Sequence, residues 1–201
     1  RFRRSLEHLR QVAPGVRYKA AINHAEFIGE FRDEIDDFVP IYDCLTAENA
    51  VLRALRASMP EKRFLWYVCC CPAFPNFFLS SSLLEGRAVG ALTLQEGLDG
   101  FLRWDFTVWN EEPRRDLRYP RFPCGDMNFV YPSGDMAPLL SLRYEALRRG
   151  IEDYELLSAL KESGRQALAA ALEACLERGR PLEPAEQERL LEEYRTGGER
   201  K

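Results

Sequence analysis

Apolar positions along the chain switch repeatedly between a helical and an extended period. The opening "FRRSLEHLRQV" carries its apolar residues at helical spacing until the "APG" breaker, which predicts a helix over about residues 2–12. "VRYKAAI" then reads as a short strand, and "HAEFIGEFRDEI" returns to helical spacing. "DDFVPIYD" is the second strand, and Thr46 is placed to cap a helix over "AENAVLRALRASM" that Pro60 ends. "RFLWYVCC" gives the third strand, and after the proline-rich "CPAFPNFFLSSS" comes the helix "LLEGRAVGALTLQEG". The fourth strand is "GFLRWDFTVW", residues 100–109. A loop with five prolines, from Asn110 to Pro138, leads into the long helical pattern "LLSLRYEALRRGIEDYELLSALKE". Two shorter helical patterns, near 165–178 and 184–195, close the chain.

Strands alternating with helices of this length imply an α/β class of fold, built from βα units around a parallel sheet. Four such units make half of a (β/α)8 TIM-like barrel. A helix precedes the first strand, so the half expected is the C-terminal one, over residues 1–161, with residues 162–201 as a C-terminal helical extension. A doubly wound sheet is the other arrangement of such units, but no glycine-rich phosphate loop follows any strand. The chain opens at Arg1 inside an amphipathic pattern that lacks an N-cap, and it is expected to be a fragment of a longer one. Barrel ligands bind on the loops after the strands. Those loops begin here at Asn23–His24, Asp43–Cys44, Cys71–Pro72 and Asp105–Trp109.

Composition narrows the partners. The net charge is −4 and no basic block occurs, which excludes nucleic acid as a main partner. No apolar run reaches the ~18 residues of a membrane span and no signal peptide opens the chain, so no membrane is expected. The six cysteines, Cys44, Cys69, Cys70, Cys71, Cys124 and Cys175, are expected to be reduced thiols, which makes the cytoplasm the expected setting. None is spaced as CxxC, and alternation along a strand would send the consecutive three to opposite faces. Neither a metal nor a cofactor is expected.

The chemistry-bearing residues gather on the fourth strand. By alternation Leu102, Trp104, Phe106 and Val108 share one face, while Phe101, Arg103, Asp105 and Thr107 share the other. The first set suits packing against outer helices and the second suits the barrel interior and its mouth, which makes Asp105 the pocket residue. Rings beside carboxylates suit a sugar, whose apolar face stacks on an aromatic while its hydroxyls seek hydrogen bonds. Trp66, Tyr67, Phe74, Phe77, Phe78, Trp104, Trp109 and Tyr131 supply rings; Asp43, Asp105, Asp126 and Asn128 supply polar groups. Each ring serves either the core or a pocket, and Trp109 and Tyr131, outside the regular elements, have the weaker packing reason to exist. Asp33–Glu34 reads as a solvated helix end. Glu85, Arg87, Arg143, Arg148, Glu152 and Asp153 read as structural ion-pair residues on helices. His24 follows a strand, but no serine sits in a G-x-S-x-G elbow to complete a triad.

The segments "DGFLRWDFTVWNEEP", "GDMNFVYP" and "LLSLRYEALRRGIEDYELL" resemble, in this order, the C-terminal part of the bacterial domain of unknown function 4091, which overlaps the catalytic barrel of glycoside hydrolase family 123. The upstream "RFLWYVCC", with its following proline, and "LLEGRAVG" are similar to further segments of it. The resemblance spans roughly residues 60–160, with weaker agreement back to residue 1. It implies a (β/α)8 barrel hydrolysing N-acetylhexosaminides of the β-N-acetylgalactosaminide kind, by a substrate-assisted retaining mechanism. In that mechanism the 2-acetamido oxygen attacks the anomeric carbon, an aspartate orients the acetamido group, and the adjacent glutamate is the general acid. The family's Asp–Glu pair ends a strand before this chain begins, and Asp33–Glu34 does not match it, so the catalytic residues are expected upstream and the fragment alone is expected to be inactive. By motif position the substrate-binding residues are Trp66, Tyr67, Trp104, Asp105, Trp109, Asn128 and Tyr131. The alternative is a non-catalytic carbohydrate-binding or structural barrel fragment. Its open sheet edge would be closed by a second copy of itself or by the missing N-terminal half of the barrel.

Overall fold

The computed structural model describes residues 2–135 and 137–177, with the single positions Ala185 and Glu192. The helical pattern near 184–195 otherwise lies outside the described residues. The chain divides into two compact units, one built on Arg1–Val68 and Leu98–Leu102, the other on Cys69–Gly97 and the chain from Arg103 onward.

The first unit holds α1 (Phe2–Val12), β1 (Lys19–Ile22), α2 (Glu26–Glu30), β2 (Asp37–Pro40), α3 (Tyr42–Ala47), α4 (Asn49–Ala57) and β3 (Arg63–Val68), joined by most of β4 (Gly100–Arg103). The strands form a four-stranded parallel sheet in the order β1-β2-β3-β4, the alternating α/β pattern anticipated from the periodicity. Every residue of β2 is buried, as expected for an inner strand of a parallel sheet, while β3 alternates and buries Phe64, Trp66 and Val68. The register pairs Phe38 with Phe64, and their rings meet at 5.6 Å. Phe2 packs edge-on against Phe31 at 5.0 Å, and Arg10 donates to the carbonyls of Asp33 and Glu34 at 3.2 and 2.7 Å. The acidic run "RDEIDD" is thereby used in part: Glu34 also pairs with Arg3 at 2.7 Å. Thr46 does not cap a helix. It lies inside α3, where its hydroxyl donates back to the Tyr42 and Asp43 carbonyls, and Glu48 separates α3 from α4.

The second unit holds α5 (Leu83–Gln95), the short antiparallel pair β5 (Val130–Tyr131) and β6 (Leu139–Leu140), α6 (Leu142–Glu162) and α7 (Gln166–Glu177). Ser82 caps α5 with Glu85 in a reciprocal capping box. Helices α5 and α6 touch at glycines. A Cβ on Gly90 would lie 1.8 Å from the Gly150 carbonyl oxygen, and one on Gly150 would lie 2.6 Å from the Arg87 carbonyl oxygen. Ala91, Leu157, Leu160 and Ala169 form the apolar core beneath that crossing. Arg87 and Asp153 pair across it, with Arg87 Nη2 to Asp153 Oδ1 at 2.9 Å, and that hydrogen bond raises the guanidinium pKa further. Leu139 and Leu140 belong to β6 rather than to the long helix, because Ser141 caps α6 by accepting from the Tyr144 N–H at 3.1 Å.

Candidate functional site

The fourth strand is shorter than its apolar pattern suggests. It ends at Arg103, and Asp105 Oδ1 accepts from the N–H groups of Thr107 and Val108 at 3.0 and 3.2 Å. A carboxylate that occupies backbone donors in this way competes with the sheet ladder, so the chain turns out of the sheet. Face alternation therefore fails beyond Arg103.

What replaces the ladder is a second, irregular pairing. Val108 N donates to Met127 O at 3.2 Å, Phe129 N to Phe106 O at 2.9 Å, and Thr107 bridges antiparallel to Asn128. Trp109 Nε1 donates to the Val130 carbonyl at 2.8 Å and Trp104 Nε1 to Asp126 Oδ1 at 3.1 Å. Five residues singled out in the sequence, Trp104, Asp105, Trp109, Asn128 and Tyr131, thus lie on two laced segments of the second unit. Trp104, Asp105 and Tyr131 are half-buried, Asn128 is buried, and Trp109 is 38% exposed.

Two buried arginines hold these segments. Arg103 donates to both the carbonyl and the carboxylate of Asp126, with Nη2 to Oδ1 at 3.1 Å, and its guanidinium lies 4.9 Å over the Phe129 ring. Burial pushes the Arg103 guanidinium below its ordinary pKa, and Asp126 opposes that shift. Asp126 is 0% exposed, and among the described residues its Oδ2 has no hydrogen-bond partner. Arg143, from α6, donates to the carbonyls of Phe77, Gly125 and Asn128 at 2.8, 2.5 and 2.7 Å and to Tyr131 Oη at 3.2 Å. Gly125, at φ +90°, leaves room for it: a Cβ there would meet Arg143 Nη1 at 2.7 Å. The glycine and aspartate of "GDMN" therefore serve the two guanidinium groups.

Trp66 and Tyr67 lie in the first unit. Trp66 is 1% exposed and packs against Tyr42 and Phe101 at 5.2 and 4.9 Å, so its ring fills the core. Tyr67 is half-buried, and its hydroxyl donates to Asn23 Oδ1 at 3.0 Å. His24 is exposed and faces Glu48 at 3.4 Å.

The ion-pair spacing on the long helix predicts a structural ion pair for Arg143; in the structure it is a buried loop brace on carbonyls. Its spacing on α6 gave no hint, because its partners are carbonyls far along the chain. The nearest legible signal was the glycine at position 125. The cysteine triplet also departs from expectation. β3 ends at Val68, so strand alternation does not govern Cys69–Cys71, and their three sulfurs lie within 4.8 Å of one another.

A parallel sheet with alternating helices, whose last strand runs into a loop of rings and carboxylates, is the arrangement of part of a (β/α)8-type barrel, a fold whose ligands bind on the loops after the strands. The chain belongs to the glycoside hydrolase 123 catalytic-domain family, whose model matches residues 1–160. It is similar in fold to a family 123 glycoside hydrolase from Clostridium perfringens, described for its hydrolysis of glycolipid glycans. The TM-score is 0.70 and the identity 20%, over 88% of this chain and 32% of that one. The chain therefore spans about a third of that enzyme's length, and at this identity the likeness concerns the fold. No curated protein matches the chain.

Proposed function

We propose that residues 1–161 form the substrate-binding half of a glycoside hydrolase barrel that acts on β-N-acetylgalactosaminide-like N-acetylhexosaminides, with residues 162–201 as a helical extension. The catalytic Asp–Glu pair is assigned to a part of the protein outside this chain. The observation that carries this reading is the lacing of the Trp104–Trp109 segment to the Asp126–Tyr131 segment. It gathers half-buried rings and polar groups in the loop that follows the last parallel strand.

In the substrate-assisted reaction the 2-acetamido oxygen bonds to the anomeric carbon as the glycosidic bond breaks and the acid's proton passes to the leaving oxygen. Water then opens the cyclic intermediate and gives up a proton, and two inversions leave the configuration retained. The residues of this chain do no proton transfer in that scheme. Trp109 offers a ring to the apolar face of the sugar, Trp104 and Tyr131 flank it, and Asp105 accepts from sugar hydroxyls with the oxygen not engaged by backbone. Tyr67 is assigned the same class of contact at the end of β3. Trp66 and Asn128, both buried, support the residues beside them. Among the described residues β1 has no partner on its outer edge, which supports a barrel completed by further chain: a groove of about 790 Å³ lies there, lined by Phe2, Leu6, Leu9, Phe27 and Phe31 among others.

The test uses the full-length protein and an aryl β-N-acetylgalactosaminide, followed by proton NMR. Release of the β-anomer first, with no turnover of the corresponding galactoside lacking the acetamido group, is the expected result. Equal hydrolysis of both sugars would remove substrate assistance. Binding without hydrolysis would favour the carbohydrate-binding alternative.

A further inference from the structure

The loop after β3 carries Cys69, Cys70 and Cys71, and nothing in the proposed glycosidase chemistry uses them. None of the three is in a disulfide; Cys70 is exposed and its neighbours are half-buried. The Cys69 and Cys70 sulfurs are 3.7 Å apart, and all three sulfurs lie within 4.8 Å of one another. A tetrahedral ion with metal–sulfur bonds of about 2.3 Å holds its sulfurs about 3.8 Å apart. The cluster is therefore near the size such an ion requires, without a large change of backbone.

Disulfide formation does not compete well for the adjacent pairs Cys69–Cys70 and Cys70–Cys71. Consecutive Cα atoms are ~3.8 Å apart, inside the ~4.4 Å lower limit of ordinary disulfides. The loop is also fixed in place. Asn76, which is 1% exposed, donates from Nδ2 to the Cys69 and Pro72 carbonyls at 2.8 and 2.6 Å, and its Oδ1 accepts from Phe77 N at 2.8 Å. Its own N–H donates to Glu85 Oε2 at 3.0 Å, which ties the loop to the capping box of α5. Cys69 N donates to Cys71 O at 3.1 Å, a tight bend that folds the sulfurs together. A preorganised, solvent-open set of three soft ligands is the pattern of a binding site rather than of core packing.

We propose that Cys69, Cys70 and Cys71 together bind one thiophilic divalent cation of the Zn²⁺ class, with the fourth position open to solvent. Each thiol loses its proton to become a ligand, so one bound ion releases three protons and leaves a trithiolate complex of net charge −1. The site is independent of the sugar reading: it stands or falls on metal binding alone.

The test titrates the reduced full-length protein with Cd²⁺, reading the sulfur-to-cadmium charge-transfer band, and with Zn²⁺, reading proton release. One ion per chain, a band intensity for three sulfur bonds and release of about three protons per ion are expected. Each of Cys69→Ser, Cys70→Ser and Cys71→Ser should lower the band by about a third. The triple variant should lose it, while Cys124→Ser should leave it unchanged. Absence of the band in the unmutated protein at saturating Cd²⁺ overturns the proposal without any variant. So does a band that survives in the triple variant.

Discussion

Trp66 on β3 and Trp104 just beyond β4 differ in what surrounds them. Trp66 is enclosed by Tyr42 and Phe101, and its strand continues pairing past it, with Ile41 bridging to Tyr67. Trp104 stands where its strand has already stopped, with its ring beside Phe122 and its Nε1 on a buried carboxylate. The same residue type thus closes a core in one region and joins a polar, partly exposed loop layer in the other. The difference lies in what replaces the ladder. β3 stays paired within the sheet; after Arg103 an irregular backbone pairing to the Met127–Val130 segment is reinforced by side chains, namely Asp105, Asp126, Arg103 and Arg143. Core packing tolerates rings of many shapes, whereas a layer held by buried charge depends on each partner.

The largest expected effect breaks that layer. Asp126→Ala leaves the Arg103 guanidinium buried without its counter-charge, and a loss of about 3–5 kcal/mol in urea unfolding is expected. A loss under ~1 kcal/mol, the scale of an exposed pair, would show that the layer is not held by this ion pair. Trp66→Ala should be similarly costly, about 3–5 kcal/mol, through the cavity left in the core. Its readout sharpens the comparison, because it should lower stability without altering the loop's tryptophan environment.

Next in size is the helix crossing. Gly90→Ala forces a methyl group into the Gly150 carbonyl, and a destabilisation of about 1–3 kcal/mol is expected, against a gain in helix propensity of under ~1 kcal/mol. A stabilised variant would mean that α5 and α6 are not in this contact.

The smallest effect is a titration. Burial, and then Glu48, push the Cys44 thiol up to about 11. The folded state therefore keeps the proton more tightly than the unfolded chain. This contribution is fully present below the unfolded thiol pKa and is lost as pH rises toward about 11. Iodoacetamide at pH 9 should modify exposed Cys70 well before Cys44, as peptide mass spectrometry of the timed reaction would show. Equal rates would contradict the enclosure of Cys44.

The fold was legible where period and burial agree. The fully apolar "FVP" of β2 and the alternation of "RFLWYV" in β3 state their own positions, and the four βα units follow from them. The fourth strand was legible only to Arg103, because an Asp side chain capturing backbone N–H groups leaves no mark in hydrophobic periodicity. The candidate site was half legible. Trp104, Asp105, Trp109, Asn128 and Tyr131 share two motifs, but Arg103 joins those motifs across 23 residues and Arg143 ties the second of them to Phe77 across 66, both through carbonyls, which sequence spacing does not encode. Trp109 had the weaker packing reason in the sequence and is 38% exposed, whereas Trp66, inside the third strand, is 1% exposed.

The central claim, that the loop after β4 meets the sugar, is tested most directly by Trp109→Ala in the full-length protein. N-acetylgalactosamine binding, read by calorimetry, is set beside urea unfolding of the same variant. The account predicts binding weakened by about 1–3 kcal/mol with a much smaller change in stability. Unchanged sugar affinity beside a loss of about 3–5 kcal/mol in stability would make Trp109 a core residue and contradict the claim.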